Sequence, residues 1–322
     1  MAHLLVTGGA GFIGSNFIRR TLAADPHVVV TNLDALTYAG VRATVDELDA
    51  DPRHTFVHGD VADEEVVAAA MDGVDAVVHF AAESHVDRSI SGPGVFLRTN
   101  VVGTGTLLQA ALEAGVDRFL HVSTDEVYGS IERGSASEVA PLAPSSPYSA
   151  SKAGSDLLAL SYHATHGLDV VVTRCSNNFG PYQFPEKVIP LFVTNLLEGR
   201  PVPLYGDGHN ERDWLHVGDH CAALALVLER GEAGTVYNIG ADAQLSNLEL
   251  THRILDQLGA DASSIDHVRD RLGHDFRYAV DSSRIRALGW EPSAPFDQRL
   301  AETVAWYRSN RDWWEPLRRD LG

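Results

Sequence analysis

Two short stretches of this 322-residue chain carry side chains able to move protons. In "SPYSASK", Tyr148 and Lys152 stand at i and i+4, one turn apart on the same face of a helix. A phenol is a useful base near neutrality only if its pKa falls by about 3 units from ~10. An ammonium at ~4 Å supplies about that much at an effective dielectric of ~20. The pair therefore predicts a Tyr148 whose pKa is pulled down by Lys152. Lysine is otherwise scarce: of 25 basic residues, Lys152 and Lys187 are the two lysines, and the rest are arginine. The second stretch, "STDEVYG" at 123–129, follows an apolar run at 119–122 that reads as a buried strand. Thr124, Asp125 and Glu126 thus stand where burial makes each carboxylate costly. Such a pair is either a solvated turn or a divided pair, one protonated and one ionised, because like charges at short range push pKa values apart.

A third pattern binds rather than reacts. Gly8, Gly11 and Gly14 lie between an apolar strand at 3–7 and a helical segment running to about Ala24. Their G-x-x-G-x-x-G spacing is a variant of the dinucleotide fingerprint, with a tight turn and a helix N-terminus facing a pyrophosphate. Asp34 ends the next strand about 20 residues on, where a carboxylate binds both ribose hydroxyls of adenosine and repels a 2′-phosphate. Its neighbour is Ala35 and not arginine, which favours NAD over NADP. The positive nicotinamide would help Lys152 pull the Tyr148 pKa down. Asp60 and Val61 in "HGDV" suit an adenine-edge contact. Phe80, Ala81 and Ala82 in "HFAAES" suit backbone packed against the cofactor.

These residues need a scaffold. Strands at 28–33, 55–58, 75–80, 118–123 and 169–174 alternate with helical segments near 63–72, 100–115 and 149–166. This predicts an α/β fold, a doubly wound parallel sheet of Rossmann type. Ligands bind such sheets outside the carboxyl ends of the strands, where "STDEVYG" falls. Beyond residue 180, pieces rich in proline and glycine predict a smaller α/β substrate-binding lobe built partly of loops. The expected division is an NAD-binding domain at 1–180, with 216–240 returning to it, and a nucleotide-sugar lobe at 181–215 and 241–322.

The net charge of −19 argues against nucleic acid, since nothing resembles a basic footprint. No apolar stretch approaches the roughly 20 residues that cross a bilayer. The N-terminus has no leader pattern, so a cytoplasmic protein is expected. Cys175 and Cys221 read as reduced core thiols. His216 and His220 in "HVGDH" lack the glutamate of H-E-x-x-H and an obvious third ligand, so no metal is expected.

Taken together, Gly8 to Gly14, Tyr148-x-x-x-Lys152 and Ser123/Thr124 resemble the extended short-chain dehydrogenase/reductase superfamily. Within it, "DALTYAG", "AAESHVDRSI", "STDEVYG", "SPYSASKAGSD", "NNFGPYQFPEKVIP", "GDGHNERDWLHVGDH" and "GHDFRY" resemble the dTDP-glucose 4,6-dehydratases, from residue 4 to about 310. Val41, Leu272 and Phe276 depart from that family's usual Asn, Pro and Arg. The resemblance implies a closed redox loop in which hydride leaves C4 of the sugar, water is lost across C5 and C6, and hydride returns to C6. It implies Tyr148 as base at the 4-hydroxyl, Thr124 as its hydrogen-bond partner, Asp125 as acid at C6, Glu126 as base at C5, and Lys152 beside Tyr148. It adds Phe12, Ile13, Leu36, Thr37, Ser84, Thr99 and Asn178 to the NAD site. Around a dTDP-glucose substrate it places Ser84, Asn177, Lys187, Val188, Pro203 and Tyr205. Arg212, Asn247, Arg271, His274 and Tyr278 complete that set, with the two arginines suited to phosphate. A homodimer paired through a helix bundle is also implied. The rival readings are a 4-epimerase or decarboxylase of the same superfamily, and a catalytically silent NAD sensor, which would not need Tyr148, Lys152 and the acid pair.

Overall fold

The computed structural model describes residues 2–270 and 275–319. Six strands come first: β1 (His3–Thr7), β2 (Val29–Asp34), β3 (His54–His58), β4 (Ala76–His79), β5 (Arg118–Thr124) and β6 (Val170–Cys175). The chain then passes through β7 (Asn177–Phe179), β8 (Val202–Tyr205) and β9 (Glu211–His216) before β10 (Val236–Ile239). Seven of these form one parallel sheet in the order β10-β6-β5-β4-β1-β2-β3. The order reverses direction between β1 and β4, and that crevice is where a doubly wound sheet binds its ligand.

Successive residues of β1 serve opposite faces, as the period of two requires. Leu4 and Val6 pack in one layer with Phe17 and Ile18 of the helix Phe12–Ala24 and with Leu224 and Val227 of the helix Val217–Arg230. Leu5 joins the other layer, with Leu107 and Leu108 of the helix Thr104–Ala114 and Ala159 of the helix Pro147–His166. Burial on both faces explains why the strands read as near-continuous Val and Leu.

Asp34 ends β2, as expected, at the Asp34↔His58 pair. Two other boundaries differ from the sequence expectation. β5 runs on to Thr124, paired with Cys175. The helical segment expected from residue 100 begins earlier, with the short helices Val86–Ser91 and Pro93–Phe96 and a π-helical turn at Leu97–Gly103.

After β6 the chain is less loop-like than expected. β11 (Gln244–Ser246), β9 and β7 form a three-stranded sheet, and β12 (Ile265–Val268) pairs with β8. Helices Val188–Leu197, Asn247–Leu258 and Phe296–Ser309 close over them, burying Phe192, Leu250, Ile254, Leu300 and Tyr307 in a separate core. Proline and glycine at the joints hide this regularity from a pattern reading. The last described helix, Arg311–Arg319, ties back to the first domain: Trp313 Nε1 donates to Thr44 Oγ1 at 3.1 Å. Tyr182 meets Trp306 at a tilt and Trp313 edge-on, at 4.7 and 5.5 Å, with the Arg19 guanidinium 4.1 Å over its ring. Cys175 and Cys221 are buried free thiols. Among the described residues no helix is long and apolar enough to cross a membrane.

Candidate active site

The turn after β1 is shaped by what a side chain would hit. A Cβ on Gly8, whose φ is +72°, would lie 2.7 Å from Ala81 N, and one on Gly14 would lie 2.4 Å from Gly8 O. Gly11 is the N-cap of the helix Phe12–Ala24; it offers no side-chain cap, and no acidic residue stands in the first turn. The first amides, at Phe12 and Ile13, therefore face outward as an anion site. Asp34, 6% exposed, accepts Ala10 N at 2.9 Å and Leu36 N at 2.8 Å. Burial raises its pKa and those two amides pull it back. Leu36 takes a left-handed φ of +50°, turning the chain at Ala35–Thr37 past the carboxylate. This donor set fits an adenosine ribose and a pyrophosphate.

Other expected cofactor residues are held from several strands. Thr7 O accepts Phe80 N at 3.1 Å and Thr7 Oγ1 accepts Ala81 N at 3.2 Å, which seats 80–82 beside Gly8. Asp60 accepts Ala62 N at 2.8 Å and meets Arg98 Nη2 at 3.2 Å, while Val61 is buried against Gly103. Thr99 lies in the π-helical turn. Ser84 Oγ is 3.4 Å from Tyr38 OH. Asn178 donates to Ser176 O at 3.0 Å, leaving its Oδ1 to accept from His220 Nδ1 at 2.9 Å. His216 Nδ1 accepts Gly218 N at 3.2 Å. Both histidines are thereby engaged within the protein.

The reactive side chains converge at the ends of β5 and β6. Ser146 caps the helix Pro147–His166 reciprocally with Ser149, and Pro147 occupies its first turn, so Tyr148 enters at a fixed angle. Tyr148 is 8% and Lys152 4% exposed. Thr124 caps a 3₁₀ turn at Asp125–Tyr128: its Oγ1 accepts Glu126 N at 3.2 Å and donates to Asp125 Oδ1 at 3.3 Å. The acid pair is therefore no solvated turn. Asp125 is 3% exposed and its Oδ2 has no hydrogen-bond partner among the described residues. Burial, then the charges of Glu126 and Asp213, push its pKa well up.

One expectation needs correcting. Lys152 does not pull the Tyr148 phenol down by itself. Its Nζ donates to Val122 O at 3.0 Å, and burial lowers its own pKa. Burial and the Glu126 charge hold Tyr148 well above its ordinary value, against a lowering bond from Thr124. Desolvation of a phenolate outweighs one partly desolvated ammonium.

The second lobe faces this centre. Arg212, 5% exposed, donates to Glu211 O at 2.7 Å, Phe276 O at 3.2 Å and Asp275 O at 2.9 Å, with its guanidinium 4.4 Å over the Tyr278 ring. It organises the 275–278 segment as well as presenting charge. Tyr278 donates to Asp275 at 2.6 Å. Asn177 opens β7 and its buried Oδ1 lacks a partner among the described residues. Lys187 caps the helix that starts at Val188, 3.9 Å from Glu186. Pro203 and Tyr205 lie on β8, Tyr205 being 44% exposed, and Asn247 begins a helix with its N–H on Asn210 O at 3.0 Å. Arg271 and His274, with Leu272, lie outside the described residues.

Sequence reasoning missed three buried polar residues beside this site. Asn100 holds the 83–84 segment. Asp156, below Lys152, pairs with Arg174 Nε at 2.8 Å and lies 3.3 Å from His121. Asp213 accepts Ala241 N and Ala243 N at 2.9 and 2.7 Å. The one signal for Asp156 was an acid one turn past Lys152; the other two had none.

Residues 5–303 match the GDP-mannose 4,6 dehydratase family. The chain is 58% identical over 323 residues to a dTDP-glucose 4,6-dehydratase of Streptomyces antibioticus, covering 98% of this chain and 96% of that one. It superposes with a TM-score of 0.95, at 62% identity and 98% and 99% coverage, on the dTDP-glucose 4,6-dehydratase of Streptomyces venezuelae solved with NAD and dTDP bound. A UDP-glucose 4-epimerase of Thermus thermophilus in complex with NAD is 32% identical, with a TM-score of 0.88 over 96% of this chain and 99% of that one.

Proposed function

Given that this chain belongs to the GDP-mannose 4,6 dehydratase family, within the extended short-chain dehydrogenase/reductase superfamily, we propose that it removes water from dTDP-glucose to give dTDP-4-keto-6-deoxyglucose. The carrying observation is the turn in which buried Thr124 and Asp125 and half-buried Glu126 stand against Tyr148, which gives this site an acid and a base beyond those that oxidation at C4 needs. Bound NAD supplies a hydride acceptor at C4 and a hydride donor at C6, so the enzyme is a lyase with no net oxidation.

The chain's own residues do the rest. Gly8, Gly11, the amides of Phe12 and Ile13, and Asp34 hold the dinucleotide, with Phe80 to Ala82 as its floor. Tyr148 takes the proton of the 4-hydroxyl, which Thr124 orients. The cation of the nicotinamide and that of Lys152 together offset the desolvation that raises Tyr148. A ketone at C4 acidifies the C5 proton, which Glu126 removes. Asp125, kept protonated by burial, gives its proton to the departing 6-hydroxyl. Asn177, Lys187, Arg212 and Tyr278 lie on the substrate side, and Tyr205 is exposed enough to stack on a pyrimidine.

The protein works as a cytoplasmic homodimer in this reading. Ile90, Val95, Leu97, Val102 and Leu157, each about half exposed, lie on the packed helices between 86 and 166 and form an apolar face suited to a second copy. Leu157→Arg is expected to give a monomer by light scattering, and an unchanged dimer refutes this face.

Incubation with dTDP-glucose and mass analysis tests the reaction. The product should lack one water, and deuterium at C4 of the substrate should reappear at C6 within the same molecule. An isomer of unchanged mass would favour an epimerase.

A further inference from the structure

The site holds more buried carboxylate than the reaction consumes. Glu126 takes a proton and Asp125 gives one, but Asp213, 3% exposed on β9, has no step of its own. Its side chain lies over the carboxyl ends of β6 and β10. Ala241 N donates to its Oδ2 and Ala243 N to its Oδ1, just beyond the end of β10. β9 runs beside β7 with Trp214 opposite Asn177, which sets Asp213 beside Ser176; Ser176 follows Cys175, which is in register with Thr124, the residue before Asp125. The space is tight: a Cβ on Gly240 would lie 2.6 Å from Asp213 Oδ2.

The hydrogen-bond inventory decides which of the two acids carries a proton. Burial, helped by the Asp242 charge, raises the Asp213 pKa, but both its oxygens receive backbone N–H donors that pull it back, the pattern of an ionised carboxylate. Asp125 receives one hydroxyl at 3.3 Å, and among the described residues its Oδ2 meets no donor. A second negative charge there would face Asp213 and Glu126 in a low-dielectric pocket. The groups facing Asp125 are Glu126 from its own turn, Asp213 and Arg212 from β9, Cys175 from β6, and Tyr148 from the helix Pro147–His166. Of these, Arg212 opposes the effect, and Cys175 and Tyr148 are held neutral by burial.

We propose that Asp213 is a positioning residue for the acid: a carboxylate held ionised by two backbone amides, which keeps the proton on Asp125 until the 6-hydroxyl departs and favours its return from solvent afterwards. This rests on the reading of Asp125 as the C6 acid. Glu126 cannot fill that part, because its charge vanishes when it takes the C5 proton, while the Asp213 charge is constant throughout the cycle. In the step itself the C5–H and C6–O bonds break, the C5 proton goes to Glu126, the Asp125 proton leaves with the hydroxyl as water, and a C5–C6 double bond forms.

The test compares two leaving groups. Asp213→Asn should move the alkaline limb of water elimination down by about one pH unit, so the rate above the limb falls about tenfold. Oxidation at C4, followed as reduced cofactor in a single turnover, should keep its rate. With the 6-deoxy-6-fluoro analogue of dTDP-glucose, whose fluoride leaves without an acid, the variant should match the parent. An unmoved limb, or equal slowing of hydroxyl and fluoride substrates, overturns the proposal. Should Asp213→Asn not fold, Asp213→Ser, which keeps an acceptor for the backbone amides, carries the same comparison. Asp125→Asn in the parent background separates the two readings. If that variant still expels water at the parent rate, the assignment of the acid has failed. If it does not, and the Asp213 variants leave the limb in place, only the role of Asp213 has failed.

Discussion

Asn100 grips Glu83 from both sides of its peptide: its Oδ1 accepts Glu83 N–H at 2.9 Å and its Nδ2 donates to Glu83 O at 3.0 Å. The same amide donates to Ser151 Oγ at 2.8 Å, one residue from Lys152. A side chain in the π-helical turn thus stands in for a strand, fixing the segment that carries Ser84 against the helix that carries Tyr148. Asn100→Ala would leave a buried N–H and C=O unpaired. The expected loss is about 2–4 kcal/mol by chemical denaturation. A loss below about 1 kcal/mol would show that the backbone finds other partners.

Amide variants of the acid pair should stop the reaction at different points. Glu126→Gln should still oxidise C4, accumulating reduced cofactor, but exchange the C5 proton with heavy water only slowly. Asp125→Asn should keep C5 exchange while water loss slows by about 10²–10⁴-fold. Equal exchange in both variants would remove the division of labour.

Asp34 sets cofactor choice. Its carboxylate is fixed by Ala10 N and Leu36 N and has little room to swing away, since a Cβ on Gly40 would lie 2.6 Å from its Oδ1. NADP should bind cofactor-free protein at least ~100-fold more weakly than NAD, the cost of setting two like charges together. Calorimetric titrations giving equal affinities would contradict this. Asp34→Ser should narrow the gap.

His220 makes stability depend on pH in a definite direction. It is fully enclosed, donates from Nδ1 to Asn178 and has a pKa pushed down to about 3 by burial. In the unfolded chain it takes a proton near pH 6.5, so between about pH 6.5 and 3 the unfolded state binds the extra proton. The stability it protects at neutral pH is lost on acidification, at about 1.4 kcal/mol per pH unit. Denaturation at pH 7.5 and 5.5 should therefore show the parent losing stability relative to His220→Gln at the lower pH. No change in the difference between the two would overturn this.

What was legible in the sequence is what the sequence holds locally. The glycine turn, the Ser146 cap and the Tyr148–Lys152 spacing each lie within a few residues, so their geometry follows from the order of residue types. The acid pair was legible as a question, because a turn after a strand is local; its burial comes from β9 and the helix Pro147–His166, which meet it only in three dimensions. Asp213 reaches Ala241 and Ala243, and Asn100 reaches Glu83, across loops that leave no period to read. The mistaken depression of Tyr148 has the same origin. A pairwise charge distance can be guessed from spacing, but desolvation is a property of the whole enclosure.

The bond between Trp313 and Thr44 joins nearly the last described residues to the first third of the chain. On the ribosome the glycine turn and Asp34 emerge early, whereas β10, at the sheet's edge, and then the tryptophan latch emerge much later. A nascent chain therefore carries the first domain with one edge of its sheet bare and its adenosine-side loop unpinned. The finished enclosure waits for that late segment, and a transcript cut short before Trp313 yields a polypeptide that has every reactive side chain but lacks that clasp.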